Sequence, residues 1–132
     1  MITIQELKKI ASARIKDAEI LYKANRFDGA FYLCGYSVEL SLKIRICKSL
    51  KWNDFPFTKK EFEGLQSFKT HSLDLLLRLS GQEFKVKINH LADWSIVVKW
   101  DSEKRYSVIG AINKIEAFDM IESSKVIIKA LK

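Results

Sequence analysis

Glu39 and Lys43 stand four residues apart within residues 31–50, a stretch that is otherwise mostly apolar. At this spacing both side chains lie on one side of a helix. A carboxylate and an ammonium group among apolar residues must either pair with each other or find partners on other helices. The pair could therefore belong to a binding or catalytic site. It could equally be a structural ion pair, because Glu-to-Lys at this spacing commonly stabilises helices.

The sequence contains two histidines, His71 and His90. His71 stands where a helix is predicted to begin, and the positive end of a helix dipole disfavours the charged imidazolium. His71 could therefore act as a base, or it could serve only as a capping or packing residue. His90 lies inside a predicted helical segment, which favours a surface or interface role.

Arg105 and Tyr106 follow Asp101 and Glu103 and precede the last predicted helix. The Arg105 guanidinium could bind a phosphate group through two parallel hydrogen bonds, with Tyr106 stacking nearby. Arg105 could equally be the partner of Glu39, and the sequence leaves both alternatives open.

Several familiar site types have no support in this sequence. It has no glycine-rich phosphate loop, no His-Glu-x-x-His and no Cys-x-x-Cys. Cys34 and Cys47 lack metal-ligand spacing, and about 20 Å of predicted helix separates them, so they cannot bridge within that helix. We therefore expect neither a metal site nor a cofactor.

Helices are expected to position all these residues. One proline and five glycines in 132 residues favour long helices over a turn-rich β fold. The spacing of apolar residues predicts one domain, residues 1–132, that forms an all-α antiparallel up-and-down bundle of four to five helices. A long aromatic-rich loop follows helix two. The predicted helices span residues 4–24, 28–50, 73–79, 83–99 and 109–131.

Local signals mark several ends of these helices. Thr3 and Glu6 match a capping box at the first helix. Asn25 suits the end of that helix, and Asp28 suits the start of the next. The third helix would be capped by Thr70 or Ser72 and stopped by Ser80-Gly81. Residues 95–98, SIVV, could instead form a short strand, although no partner strand is evident.

The chain carries a net charge of +7, which permits a nucleic acid, a nucleotide or an acidic protein as partner. The charge is spread along the chain, with no basic block longer than a pair. Lysines dispersed over solvated helix faces would explain it as well. No uncharged apolar segment reaches about 18 residues, and residues 1–10 lack the order of a signal peptide, so we expect a cytoplasmic protein without a membrane span.

Residues 27–43, FDGAFYLCGYSVELSLK, resemble the signature helix of the HEPN-domain family (higher eukaryotes and prokaryotes nucleotide-binding). The family pattern starts with an aromatic residue and Asp-x-Ala and continues through small and apolar residues into Glu-Leu-x-Leu-Lys. Residues 70–77 resemble the start of the family's third helix, and residues 100–106 resemble the segment that leads to its last helix. The resemblance covers most of the chain, residues 5–130.

The resemblance implies a helical bundle that is often dimeric, nucleotide or RNA association, and a toxin–antitoxin, defence or stress context. Many members are metal-independent ribonucleases with an Arg-x4-6-His motif, which this chain lacks. We therefore expect a non-catalytic nucleotide- or RNA-binding module, and not an enzyme by the usual route, whose site residues are Glu39, Lys43, His71, Arg105 and Tyr106. The alternatives are an atypical metal-independent endoribonuclease and an interaction subunit for a nucleotidyltransferase-like protein. A homodimer is expected.

Overall fold

A computed structural model describes the backbone of residues 1–132 and the side chains of residues 1–103 and 106–132. Most of the chain is helical, which confirms the predicted all-α class. Over the described backbone there are six α-helices: α1 (Ile4–Lys23), α2 (Phe27–Leu50), α3 (Leu73–Leu79), α4 (Glu83–Asn89), α5 (Leu91–Val97) and α6 (Lys114–Leu131). The two strands, β1 (Ile2–Thr3) and β2 (Asp54–Phe55), pair antiparallel, with Ile2 opposite Phe55.

The ends of α1 follow the predicted signals. The Thr3 hydroxyl accepts from the Glu6 backbone N–H, and the Glu6 carboxylate accepts from the Thr3 N–H, which confirms the capping box. The helix ends at Ala24, and Asn25 adopts a left-handed conformation (φ 61°) just beyond it. This tight turn leads directly into α2.

Helix α2 is the central element of the fold. It packs against α1, α6 and α3, and it is buried on most of its circumference. Each fully buried apolar side chain of this kind contributes roughly 1.5–3 kcal/mol to folding. No described helix combines the length and the apolar composition needed to cross a membrane.

The segment predicted as one helix over residues 83–99 is two helices. His90 separates α4 from α5 with a backbone (φ −138°, ψ 36°) that an α-helix cannot continue through. This break explains why six helices are found where four to five were predicted. Residues 95–98 lie in and just after α5, so the alternative of a strand there is wrong.

The last helix begins at Lys114, not at residue 109 as predicted. Gly110 has φ 89°, a backbone angle that no α-helix contains, so a helix cannot run from residue 109 through residue 110. Asn113 then forms a capping box with Glu116, and this cap fixes the true start. The apolar residues before Asn113 keep the three-to-four-residue spacing of a helix, and for this reason the predicted start was too early.

Asp28 lies in the first turn of α2, as its type and position suggested, but its side chain does not cap the helix. Its carboxylate accepts hydrogen bonds from the backbone N–H groups of Gly110 (2.6 Å) and Ile112 (3.0 Å). Asp28 therefore fastens the segment before α6 to the first turn of α2.

Residues 51–72 connect α2 to α3 through β2, a series of turns and a short 3-10 helix, Gln66–Phe68. Aromatic rings pack on one another in this segment: Trp52 lies 5.0 Å from Phe68, and Phe55 meets Phe62 edge to face at 6.2 Å. Phe55 is fully buried. Its ring helps to form the candidate site described next.

Candidate functional site

Three of the five predicted site residues come together on one side of α2. One carboxylate oxygen of Glu39 lies 3.0 Å from Lys43 Nζ, and the other lies 3.0 Å from His71 Nδ1. The sequence left two alternatives open: Glu39 and Lys43 could pair with each other, or each could pair with a residue of another element. The structure shows both, because Glu39 binds Lys43 within its own helix and His71 from the segment before α3.

Glu39 and Lys43 are both largely buried, so each charge needs a nearby partner to offset the loss of water. Glu39 is 1% exposed, and only 16% of the Lys43 side chain is exposed. The Lys43 ammonium also lies over the Phe55 ring, 5.4 Å from its centroid. A buried carboxylate is stable only when it is paired and hydrogen-bonded, and these contacts supply both requirements.

His71 differs from its two neighbours because its side chain is 65% exposed. The hydroxyl of Ser72 caps α3 by accepting from the Leu75 N–H, and the Thr70 hydroxyl accepts from the Ser72 N–H. These two bonds fix the backbone on either side of His71. With Nδ1 donating to Glu39, the ring directs Nε2 away from the carboxylate, and no described residue bonds to Nε2.

The side of α2 that carries Glu39 also receives two aromatic residues. Trp100 donates from Nε1 to the Tyr32 carbonyl oxygen (3.0 Å), and its indole fills the space beside Gly35. Burial raises the pKa of Tyr36, and the Glu39 carboxylate raises it further. Gly35, Tyr36 and Trp100 were not among the predicted site residues, although the Tyr36–Glu39–Lys43 spacing pointed to this side.

The remaining two predicted site residues lie in the segment between α5 and α6. The side chain of Arg105 lies outside the described residues, so its phosphate-binding role and its pairing with Glu39 both stay predictions. Tyr106 is 72% exposed. The anchors on either side of it, Trp100 at Gly35 and Gly110 at Asp28, hold this segment along the first half of α2, before Glu39.

The three convergent groups suit proton transfer better than phosphate binding. The negative charge of Glu39 offsets the positive charge of Lys43, so little net charge faces a ligand. An exposed imidazole held by a buried carboxylate is an arrangement that can accept and return a proton. Among the described residues, no group of three His, Cys, Asp or Glu side chains could hold a metal ion.

A second candidate site, which was not predicted from the sequence, lies between α1, α2 and α6. It is a groove of about 890 Å³, and we call it the lysine groove. Its charged side chains are six lysines and one glutamate. Its lining residues are Lys8, Ala11, Ser12, Ile15, Lys16, Glu19, Ser37, Ser41, Ile44, Lys48, Lys125, Ile128, Lys129, Leu131 and Lys132.

Most of this positive charge is not neutralised by a neighbouring acid. Lys125 pairs with Glu19 at 3.3 Å and with Glu122 at 3.9 Å. The other five groove lysines form no ion pair with any residue whose side chain is described. The structure thus concentrates charge that is dispersed in the sequence.

Lys48 shows the consequence of this concentration. Partial burial lowers its pKa, and the positive charges of Lys8, Arg45 and Lys132 lower it further. Lys48 is therefore repelled by two other lysines of the groove, Lys8 and Lys132, and by Arg45, which is not a lining residue. A bound anion would relieve that repulsion.

The lysine groove and the Glu39 group occupy opposite sides of α2. With 3.6 residues per turn, Ser37, Ser41, Ile44 and Lys48 fall within about 60° around the helix axis. Glu39 and Lys43 lie about half a turn away. The two sites therefore share one helix without sharing a surface.

Comparison of the chain with family models, with curated proteins and with solved structures gives no match. The resemblance to HEPN-domain proteins therefore stays a prediction that depends on the residues quoted for it.

Proposed function

We propose that this protein is a HEPN-type nucleotide- or RNA-binding module that acts without catalysis in a toxin–antitoxin, defence or stress system. The observation that supports binding is the lysine groove, where three helices bring together five lysines that lack an acidic partner among the described side chains. Phosphate groups are the ligands that such a surface attracts most strongly, and their release of counterions drives the association. The HEPN context rests on the sequence resemblance.

A direct binding titration tests this function. Labelled RNA and labelled ATP are titrated with the protein in filter-binding assays at low and high salt. We expect RNA to bind with an affinity that falls steeply as salt rises. Absence of binding to both ligands, at every salt concentration, would remove the proposal.

A second function, that of an atypical metal-independent endoribonuclease, is supported by one specific contact. His71 is exposed and is held by buried Glu39 through Nδ1, so Nε2 is the nitrogen available to a substrate. Nε2 could take the proton of a ribose 2′-hydroxyl as its oxygen attacks the adjacent phosphorus. The bond to the 5′-oxygen would break, that oxygen would take a proton from water, and a 2′,3′-cyclic phosphate would remain.

RNA incubated with the protein in the presence of EDTA distinguishes the two functions. Cleavage that leaves cyclic phosphate ends and stops in both His71→Ala and Arg105→Ala would support the enzyme. Intact RNA, with binding retained, would support the non-catalytic module.

We also propose a cytoplasmic homodimer, and exposed apolar side chains support an association surface. Phe84 and Ile88, four residues apart on α4, are 79% and 61% exposed, and Leu91 follows at the start of α5. Sedimentation equilibrium of the protein alone tests the dimer. Copurification with a nucleotidyltransferase-like protein, with the chain itself monomeric, would favour the interaction subunit instead.

A further inference from the structure

We infer that the lysine groove binds an extended single strand of RNA through its phosphates, without reading its bases. This inference rests on the proposed function and specifies its ligand. Three properties of the lysine groove support it: the surface that it exposes, its length and width, and the side chains that it lacks.

Exposed lysines surround the lysine groove and few of its apolar side chains are exposed, although the lysine stems add apolar surface to its lining. All six lysines and Ser12 are exposed, whereas Ala11, Ile44 and Leu131 are already buried within the fold. An acidic amphipathic helix, the competing occupant, would need an exposed apolar stripe to dock on. The lysine groove offers such a ligand little beyond the half-buried Ile15 and Ile128, so a ligand recognised by charge is favoured.

The length of the lysine groove suits a chain of several phosphates. Its floor on α2 runs from Ser37 to Lys48, which is about 16 Å of helix. At a rise of about 3.4 Å per nucleotide, this length corresponds to roughly five nucleotides of a stacked strand. A single mononucleotide would leave most of the lysines without a phosphate.

The packing of the helices around the lysine groove favours a single strand over a double helix. Helices α1 and α6 both pack on α2 and also contact each other. The space between two packed helices is narrow, since their axes typically lie about 8–10 Å apart. A duplex, which is broader than its own major groove of about 12 Å, is expected to reach fewer of these lysines than a single strand does.

The lysine groove lacks the side chains that recognise bases. Among its lining residues there is no aromatic ring and no Asn, Gln or Arg. Aromatic rings stack on bases, and side-chain amides and guanidinium groups read base edges. Recognition is therefore expected to involve the phosphates alone, with similar affinity for any base composition.

The charge is uneven along the lysine groove and extends beyond it. At one end of the groove, the positive charges of Lys8 and Lys132 repel that of Lys48. Elsewhere in the groove, Glu19 neutralises Lys125. A smaller hollow on α1 shares Lys8, Ser12 and Lys16 with the lysine groove and adds Gln5, Lys9 and Ala13. A strand longer than the lysine groove can follow this path, so affinity should rise with length past five nucleotides.

Fluorescence anisotropy with labelled single strands of A, of U and of mixed sequence, about 4 to about 12 nucleotides long, tests the inference. We expect the three compositions to bind within about threefold of one another, and a matched duplex to bind at least about tenfold more weakly. Three lost phosphate contacts should lower the slope of log affinity against log salt by about 2. We therefore expect the triple variant K8Q/K48Q/K132Q to bind about 100-fold more weakly than the unchanged protein at about 0.1 M salt.

The matched control is K23Q/K99Q/K114Q, which removes the same charge from exposed lysines outside the lysine groove. It should keep nearly the full salt slope, and circular dichroism checks that both triple variants fold. If no strand and no ATP binds the unchanged protein, the proposed function fails together with the inference. If RNA binds and K8Q/K48Q/K132Q binds as well as the control, the inference alone fails.

Three further outcomes would overturn the inference while leaving nucleic-acid binding in place. They are a preference for duplex, a preference of more than about tenfold for one base, and displacement of RNA by ATP at equal concentration. An acidic amphipathic peptide that binds more tightly than RNA, and loses binding in K8Q/K48Q/K132Q, would assign the lysine groove to a protein partner.

Discussion

On one side of α2, Glu39 is buried between Lys43 and His71, and its charge is matched within a few ångströms. On the other side, Lys48 is exposed to solvent and is repelled by Lys8 of α1 and by Lys132, just after α6. No described acid is paired with it. A buried charge without a partner would destabilise the fold by several kcal/mol, whereas an exposed one is hydrated at little cost. The paired side is therefore constrained by folding, and the unpaired side is free to serve a ligand.

The largest expected effect comes from making the same substitution on both sides of α2. Lys43→Met would leave Glu39 buried with only His71 as a partner, and breaking a buried ion pair typically costs about 3–5 kcal/mol. Lys48→Met is the matched control, and removing this exposed, repelled charge should change the free energy of unfolding by no more than about 0.5 kcal/mol. Urea unfolding of both variants measures the difference.

The double variant Glu39→Gln/Lys43→Met sharpens this test. It removes both charges, so it should recover part of the stability that Lys43→Met loses. If Lys43→Met and Lys48→Met destabilise the protein equally, the contrast between the two sides is wrong.

A second prediction concerns the close packing on the Glu39 side. A methyl group at Gly35 would overlap the indole of Trp100, which is itself 3% exposed. Gly35→Ala should therefore lower the free energy of unfolding by about 1–3 kcal/mol, despite the higher helix propensity of alanine. Gly29→Ala is the control, because its added methyl group meets only the flexible end of Leu21 at 3.1 Å. A comparable loss in both variants would argue against tight docking of Trp100.

A third prediction uses pH to probe the interior beneath the lysine groove. Burial raises the pKa of Cys34 from 9.0 to about 12, and Glu19 contributes in the same direction. Between these values the unfolded state releases a proton that the folded state retains. Cys34 should therefore make the free energy of unfolding fall by about 1.4 kcal/mol per pH unit above about pH 9.

Urea unfolding of the unchanged protein and of Cys34→Ala, between about pH 8 and about pH 10.5, isolates this contribution. The variant is expected to be less stable near neutral pH but to lose stability less steeply as pH rises. Identical slopes would show that the Cys34 thiol is not protected from ionisation.

The smallest expected effect is that of His71 on stability. Its side chain is largely exposed, so His71→Ala should lower the free energy of unfolding by no more than about 1 kcal/mol. Because His71 lies on the side opposite the lysine groove, RNA affinity should also stay unchanged. A large loss of affinity in this variant would show that the ligand reaches the Glu39 side.

The helix ends that are set by nearby residues could be predicted from the sequence. Helices α1, α2 and α3 were placed within one residue of their observed ends, because caps such as Thr3 and Ser72 and the apolar periodicity act over a few residues. The break at His90 and the late start of α6 were missed, since apolar residues there keep a helical rhythm that the backbone does not follow.

The candidate sites depended more on tertiary contacts. Glu39 and Lys43 were predictable because their four-residue spacing places them together on one helix. Contact with His71 could only be suspected, because it joins residues that lie 32 positions apart. The lysine groove was only partly visible in the sequence, where Lys8 and Lys16 repeat at helical spacing on α1. The contact between α1 and α6 depends on the tertiary fold and could not be predicted from local spacing.

Lysine footprinting shows whether RNA occupies the lysine groove. The protein is acetylated briefly with and without a single-stranded RNA, and mass spectrometry reports the modification of each lysine. We expect RNA to protect Lys8, Lys48 and Lys132 while Lys23 and Lys99 are modified as before. Uniform modification of all five lysines, or protection of Lys23 and Lys99 alone, would contradict the account.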